Sequence, residues 1–127
     1  DASVPADINH MQHAVKHDEC FLVAVNRNQP EVLGYLIMRS DPAHHMAQVL
    51  DLAVSKPYRR RYIGSRLLNA ARQWAREREI ARLTVEVATK NFPAIAFCQH
   101  SGLVFCGFND HYFPNGDIAV FFSQSLR

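Results

Sequence analysis

The sequence predicts a single mixed α/β domain, and three observations carry that reading. The run VLDLAVS (49–55) leads through KPYRRRYIGS into a long amphipathic stretch and then into RLTVEVA (82–88). A strand, helix, strand order of this kind makes a right-handed parallel crossover the expected connection. Second, CFLVAVN (20–26) and EVLGYLIMRS (31–40) are rich in β-branched and aromatic residues and flank RNQP, the pattern of an antiparallel hairpin. Third, 127 residues of which 48% are hydrophobic are enough for one core and too few for two domains, so one domain is expected over 1–127.

The elements follow in order along the chain. Residues 6–18, ADINHMQHAVKHD, place Ile8, Met11 and Val15 on one helical stripe, with Asp7 and Asn9 available as caps, and predict a short amphipathic helix. After the hairpin, DPAHH is a turn and MAQVLDLAVS (46–55) a third strand. The helix predicted over Arg61–Glu79 carries Ile63, Leu67, Ala71 and Trp74 at steps of four and three, with Leu68 and Ala75 beside them, so it covers one face of a sheet. In RLTVEVA, Leu83, Val85 and Val87 alternate with Thr84, Glu86 and Ala88. PAIAFCQHS (93–101) is a second helix, opened by Pro93 and stopped by Gly102. LVFCGF (103–108) and DIAVFFSQSL (117–126) are the last two strands, joined by NDHYFPNG.

Composition narrows the function classes. A formal charge of +2 is far from the basic excess of a nucleic-acid binder. No apolar run reaches the roughly 18 residues of a membrane span and no signal-peptide pattern opens the chain, so a cytoplasmic protein is expected. Cys20, Cys98 and Cys106 are an odd number without paired-ligand spacing, which argues for reduced thiols rather than a disulfide framework or a zinc ribbon.

The turn YRRRYIGS carries the chemistry. It leaves free backbone N–H groups in the first turn of the long helix, where the helix dipole also favours an anion. Arg59, Arg60 and Arg61 add positive charge, and Gly64 keeps no side chain between a phosphate and the backbone. Neither the G-x-G-x-x-G series nor the G-x-x-x-x-G-K-[ST] loop is present. The plain alternative is a helix start whose arginines lie in solvent.

Taken with V-E-V-A-T-K-N-F-P-A-I-A-F-C-Q-H-S-G-L (85–103), the stretch V-L-D-L-A-V-x-x-x-Y-R-R-R-Y-I-G-S-R-L-L resembles the GNAT superfamily of acetyl-CoA-dependent N-acetyltransferases, over roughly residues 20–126. Its flavour is that of the branches that acetylate N-terminal alanine and streptothricin. The resemblance implies a mostly antiparallel mixed sheet with a central, splayed parallel strand pair and helices on both faces. It implies that the family's phosphate turn falls on Arg59 to Gly64 and that the backbone from Arg60 through Arg61, Tyr62, Ile63, Gly64 and Ser65 cradles the pyrophosphate of acetyl-CoA. By the same resemblance Leu52, Ala53 and Val54 offer backbone to the pantetheine arm, and Asn91 and Phe97, near Ala94 and Gly102 of the following helix, line it. Acetyl-CoA is then the co-substrate, without a metal, and a primary amine of a small molecule or a protein N-terminus the acceptor. Transfer is by direct attack through a tetrahedral intermediate.

Three positions depart from the family pattern. Tyr62 stands where the turn has its first glycine, Cys98 where the helix has its proton-donating tyrosine, and Gln48 where some members have a glutamate. Glu86 matches the glutamate of the branch acting on protein N-termini and is the candidate base, since a protonated amine cannot attack a thioester. Its alternative is an interstrand carboxylate paired with an arginine. Cys98, with an ordinary thiol pKa of about 8.5, is a candidate acid or a small core hydrophobe. Tyr112 is a second candidate acid or a packed wall of the acceptor pocket.

His10, His13 and His17 have a spacing that binds zinc on a helix, but no carboxylate or cysteine completes the set, so no metal is expected. His44, His45, His100 and His111 carry no assignment. Family members begin with a strand and helix that wall the acceptor site, and the chain before Phe21 is too short for all of it, so a first strand is expected to be lacking. No membrane or nucleic-acid partner is expected, and the chain is a monomer or a homodimer. The rivals are a non-catalytic acyl-CoA-binding domain and a nucleic-acid module built on Arg59–Arg61, Arg66, Arg72, Arg76 and Arg78.

Overall fold

The computed structural model describes residues 4–11, 18–59, 62–110 and 112–127. Its strands are β1 (Ala6–His10), β2 (Glu19–Asn26), β3 (Val32–Asp41), β4 (Met46–Val54), β5 (Arg82–Ala88), β6 (Val104–Asn109) and β7 (Ala119–Ser125), and its α-helices are α1 (Ile63–Glu77) and α2 (Phe92–His100). One seven-stranded sheet takes the order β1-β2-β3-β4-β5-β7-β6. Every neighbouring pair is antiparallel except β4 and β5, which α1 joins in parallel.

The N-terminal expectation fails in two respects. Ala6–His10 is a strand and not the start of a helix, and it pairs with β2 from Ala6↔Asn26 to His10↔Leu22. The first strand expected to be lacking is therefore present. Residues 6–10 alternate: Ala6 is buried, Ile8 and His10 are half-buried, and Asp7 and Asn9 are exposed. A period of two thus outweighs the helical stripe, and the unpaired edge of β2 supplies the partner that a five-residue strand needs. Arg66 of α1 locks β1 down by donating to the carbonyls of Val4 and Ala6.

The remaining elements form where the patterning puts them. The stripe of α1 (Ile63, Leu67, Leu68, Ala71, Trp74, Ala75) is buried against Leu22, Leu36, Met38, Val49 and Leu83 of the sheet. Burying such a side chain contributes on the order of 2 kcal/mol, so this face anchors the crossover. Among the described residues both helices lie on this one face. Arg72 ties them together, donating to Gln124 Oε1 at 2.8 Å and to the Ser101 carbonyl. The opposite face of β2, β3, β4, β5 and β7 presents Phe21, Ile37, Arg39, Gln48, Thr84, Glu86 and Phe121, rows that follow from the strand register.

Candidate active site

The site begins where β4 and β5 separate. They pair only from Met46↔Arg82 to Val49↔Val85, after which β4 continues to Val54 against β3 alone and β5 continues to Ala88 against β7. The cause is local. Val49 opposes Met38 and Asp51 opposes Ile37, so Leu50 is an extra residue on β4, a bulge that bends the strand as the pairing ends. The edge of β4 from Leu50 to Val54, with Leu52, Ala53 and Val54 on it, therefore has no β5 partner. Gly34 lets β3 follow closely, since a Cβ there would lie 2.6 Å from the Ala53 carbonyl oxygen and 3.4 Å from Leu67 Cδ1 of α1.

The start of α1 closes one end of this gap. Tyr62, its N-cap, has φ 65° and ψ 11°, the left-handed conformation that a glycine would take freely, and no side chain caps the helix. The backbone N–H groups of the first turn, Ile63 to Ser65, thus point out of a terminus that no described side chain caps and whose first turn holds no acidic residue. Tyr62 itself is 60% exposed, so its ring leaves the turn open. Gly64 lies under Phe97 of α2 and Val54 of β4: a Cβ there would be 3.3 Å from Phe97 Cε1 and 3.8 Å from Val54 Cγ2. Three elements meet at one mouth, and a ligand with a negative group fits its donors. Arg59 at the turn donates to the Val54 carbonyl at 3.3 Å. Arg60 and Arg61 lie outside the described residues.

Glu86 and Tyr112 come together on the open face of the sheet. The phenol of Tyr112 is pushed up in pKa first by hydrogen bonding to the Glu86 carboxylate, then by burial and the Glu86 charge, while Gln48 and the Arg39 charge act in the opposite sense. Tyr112 therefore keeps its proton at neutral pH. Glu86 Oε2 is buried and accepts no hydrogen bond among the described residues, an unused acceptor facing this corner. The Tyr112 ring stands edge-on to Phe121 at 5.6 Å and to Phe113 at 5.3 Å, which fixes its orientation. Beside the corner, a cavity of about 200 Å³ is lined by Arg39, Ser40, Asp41, Met46, Ala47, Gln48, Leu50 and Thr84. A shallower hollow of about 660 Å³ at the β2–β3 turn holds no side chain of this site.

Cys98 is kept apart from that corner. It is 1% exposed within the core, and burial pushes its thiol up to about 11. Asn91 caps α2, its Oδ1 accepting from the Ala94 N–H at 3.2 Å. His13, His17 and His111 lie outside the described residues. His10 stands at the end of a strand, so the helical zinc spacing does not hold for it, and no group of three metal-ligating side chains occurs among the described residues. Arg66, Arg72, Arg76 and Arg78 are engaged internally: Arg76 donates to the Leu126 carbonyl, and Arg78 stacks 4.0 Å over Trp74 and donates to its carbonyl. They do not form a free basic stripe.

Arg39 was not singled out by sequence reasoning. Its row was hidden because the bulge at Leu50 shifts the β3–β4 register by one, pairing Arg39 with Gln48 where the register of Ile37 and Asp51 would have given Val49. Tyr35, whose hydroxyl donates to Asp51 Oδ2 at 2.6 Å, was hidden by the same shift.

Comparisons with known proteins bear on the family and the fold. The model of the acetyltransferase (GNAT) family matches residues 2–103. No curated protein sequence matches. A solved nourseothricin acetyltransferase is similar at 19% identity, covering 98% of this chain and 86% of its own, with a TM-score of 0.83. A protein of Bacillus anthracis str. Ames assigned as a streptothricin acetyltransferase, in complex with acetyl coenzyme A, is 24% identical with a TM-score of 0.77; the match covers 88% of this chain and 65% of that one. The ribosomal-protein-S18-alanine N-acetyltransferase of Escherichia coli is 17% identical over 95% of this chain and 94% of its own, TM-score 0.78. At these identities the structural likeness is one of fold.

Proposed function

Because the chain belongs to the GNAT acetyltransferase family, we propose that it moves an acetyl group from acetyl-CoA to a primary amine by direct attack. The observation that carries this reading is the mouth where β4 leaves β5: an open strand edge meets an uncapped helix start there. The N–H groups of Ile63, Gly64 and Ser65, with Arg59, Arg60 and Arg61, hold the pyrophosphate, and the exposed ring of Tyr62 stays clear of it. The edge of Leu52, Ala53 and Val54 pairs with the pantetheine arm, with Phe97 and the helix capped by Asn91 as its other wall. The thioester supplies an already activated acyl group, so no covalent enzyme intermediate is needed.

The chain's own groups manage the protons. Glu86 takes a proton from the incoming ammonium, directly or through one water, and frees the lone pair that forms the N–C bond. As the C–S bond breaks, Tyr112 gives its proton to the departing sulfur and regains one from Glu86, while the nitrogen of the tetrahedral intermediate loses its remaining extra proton to solvent, leaving a neutral amide and a free thiol. Backbone N–H groups along the open edge of β4 stabilise the charge on the thioester oxygen. Cys98 fills the core and Tyr112 takes the acid role, since only Tyr112 stands beside Glu86.

Calorimetric titration with acetyl-CoA, followed by a thiol-release assay over a panel of primary amines, tests the reading. Micromolar affinity with amine-dependent thiol release is expected. Affinity without release under any amine favours a non-catalytic acyl-CoA-binding domain, and no affinity overturns both.

A further inference from the structure

Arg39 differs from the other arginines that the structure describes within the sheet and helices. Arg27, Arg59, Arg66, Arg72, Arg76, Arg78 and Arg82 all donate hydrogen bonds from their guanidinium groups. Among the described residues Arg39 donates none and has only an ion pair with Glu19 at 3.7 Å, longer than a hydrogen bond. It lines the cavity of about 200 Å³, and its charge reaches the phenol of Tyr112, the group that Glu86 also holds.

Arg39, Gln48 and Thr84 stand in one row across β3, β4 and β5 at the cavity, and Glu86, two residues on from Thr84, lies on the same face just beyond the lining. Gln48 is neutral, and the one carboxylate in the lining, Asp41, is already taken by His44 Nδ1 at 2.7 Å. A polycationic acceptor would find an arginine there and no unengaged acid in the lining. An acceptor with an amine and a carboxylate a few bonds apart would match both charges, the carboxylate taking the unused fork of Arg39 and the amine approaching Glu86. The volume suits a molecule the size of a single amino acid rather than an antibiotic or a folded protein terminus.

We propose that the acceptor is a small amino acid with a free carboxylate, and that Arg39 is the residue that selects it. The proposal rests on the acetyltransferase reading above and narrows its substrate. Loss of the carboxylate leaves the guanidinium facing an uncharged group, a loss of at least about tenfold in kcat/KM.

The experiment compares thiol release from acetyl-CoA with amino acids, their methyl esters and the corresponding decarboxylated amines. At least one acid is expected to exceed both its ester and its amine by about tenfold or more in kcat/KM. In Arg39→Ala that ratio should collapse, the acids losing at least about tenfold more kcat/KM than their esters and amines, and Arg39→Lys should restore part of it. A merely structural role for Arg39 would lower all three substrate classes together. Esters or amines used as well as the acids, a ratio unaltered in Arg39→Ala, or acetyl-CoA affinity with no acid accepted would each overturn the selection by carboxylate while leaving the acetyltransferase reading in place. Absence of acetyl-CoA affinity would overturn both.

Discussion

Tyr62 occupies a glycine's conformation at the most sensitive turn of the chain, with φ 65° and a ring that is 60% exposed. A non-glycine residue there costs about 1 kcal/mol, and the exposed ring recovers little of it. Tyr62→Gly should accordingly raise the unfolding free energy by about 1 kcal/mol in urea titrations, and a loss of stability would show that the ring packs. Glu86→Gln should lower kcat by about a hundredfold at unchanged acetyl-CoA affinity. The same change removes the first cause of the raised Tyr112 pKa, so ultraviolet titration should find that phenol ionising at lower pH than in the parent. Burial holds the thiols of Cys98 and Cys20 up at about 11 and about 12, well above the ordinary thiol range that reaches 9.0. The unfolded chain loses these protons first, so the stability they confer is complete below pH 9.0 and is lost as pH rises through 11 and 12. Unfolding free energies measured across that window should fall, and Cys98→Ala should remove the part between 9.0 and 11 while leaving turnover intact; lost turnover would return the acid role to Cys98.

At the scale of elements, the divergence of β4 from β5 positions everything else, and Gly34 is where it is most exposed to mutation. With 2.6 Å between a Cβ at that position and the Ala53 backbone oxygen, no side chain can yield to make room. Gly34→Ala should cost about 2 kcal/mol or more and weaken acetyl-CoA affinity, because the free edge of β4 would be displaced. The long strands and α1 were legible in the sequence because their apolar periods run over many residues, and α2 because Pro93 and Gly102 mark its two ends. The stripe from Ile63 to Ala75 is a case, and all six of its residues are buried. Three features were not legible. The five residues of β1 carry too short an alternation to compete with the helical stripe through Met11. A bulge at Leu50 has no composition of its own, since only the partner strand reveals it. And the meeting of Glu86 with Tyr112 joins strand and connector residues whose proximity no local pattern encodes.

For the molecule as a whole, a single sheet with its two described helices on one face leaves the other face to bind. On it lie a carboxylate beside a protonated phenol and Arg39, next to the gap between β4 and β5 where the anion-accepting start of α1 meets an open strand edge. These parts are of little use separately. Together they are the parts that the proposed transfer of an acyl group from acetyl-CoA to an amine would use. The measurement that tests this most directly is a simultaneous count of free thiol and N-acetyl product, by chromogenic thiol assay and mass spectrometry, with acetyl-CoA and a small amino acid. The account predicts one N-acetyl product for each thiol released and negligible release without the amine. Thiol release that is independent of the amine, or tight acetyl-CoA binding with no product from any amine, would contradict it.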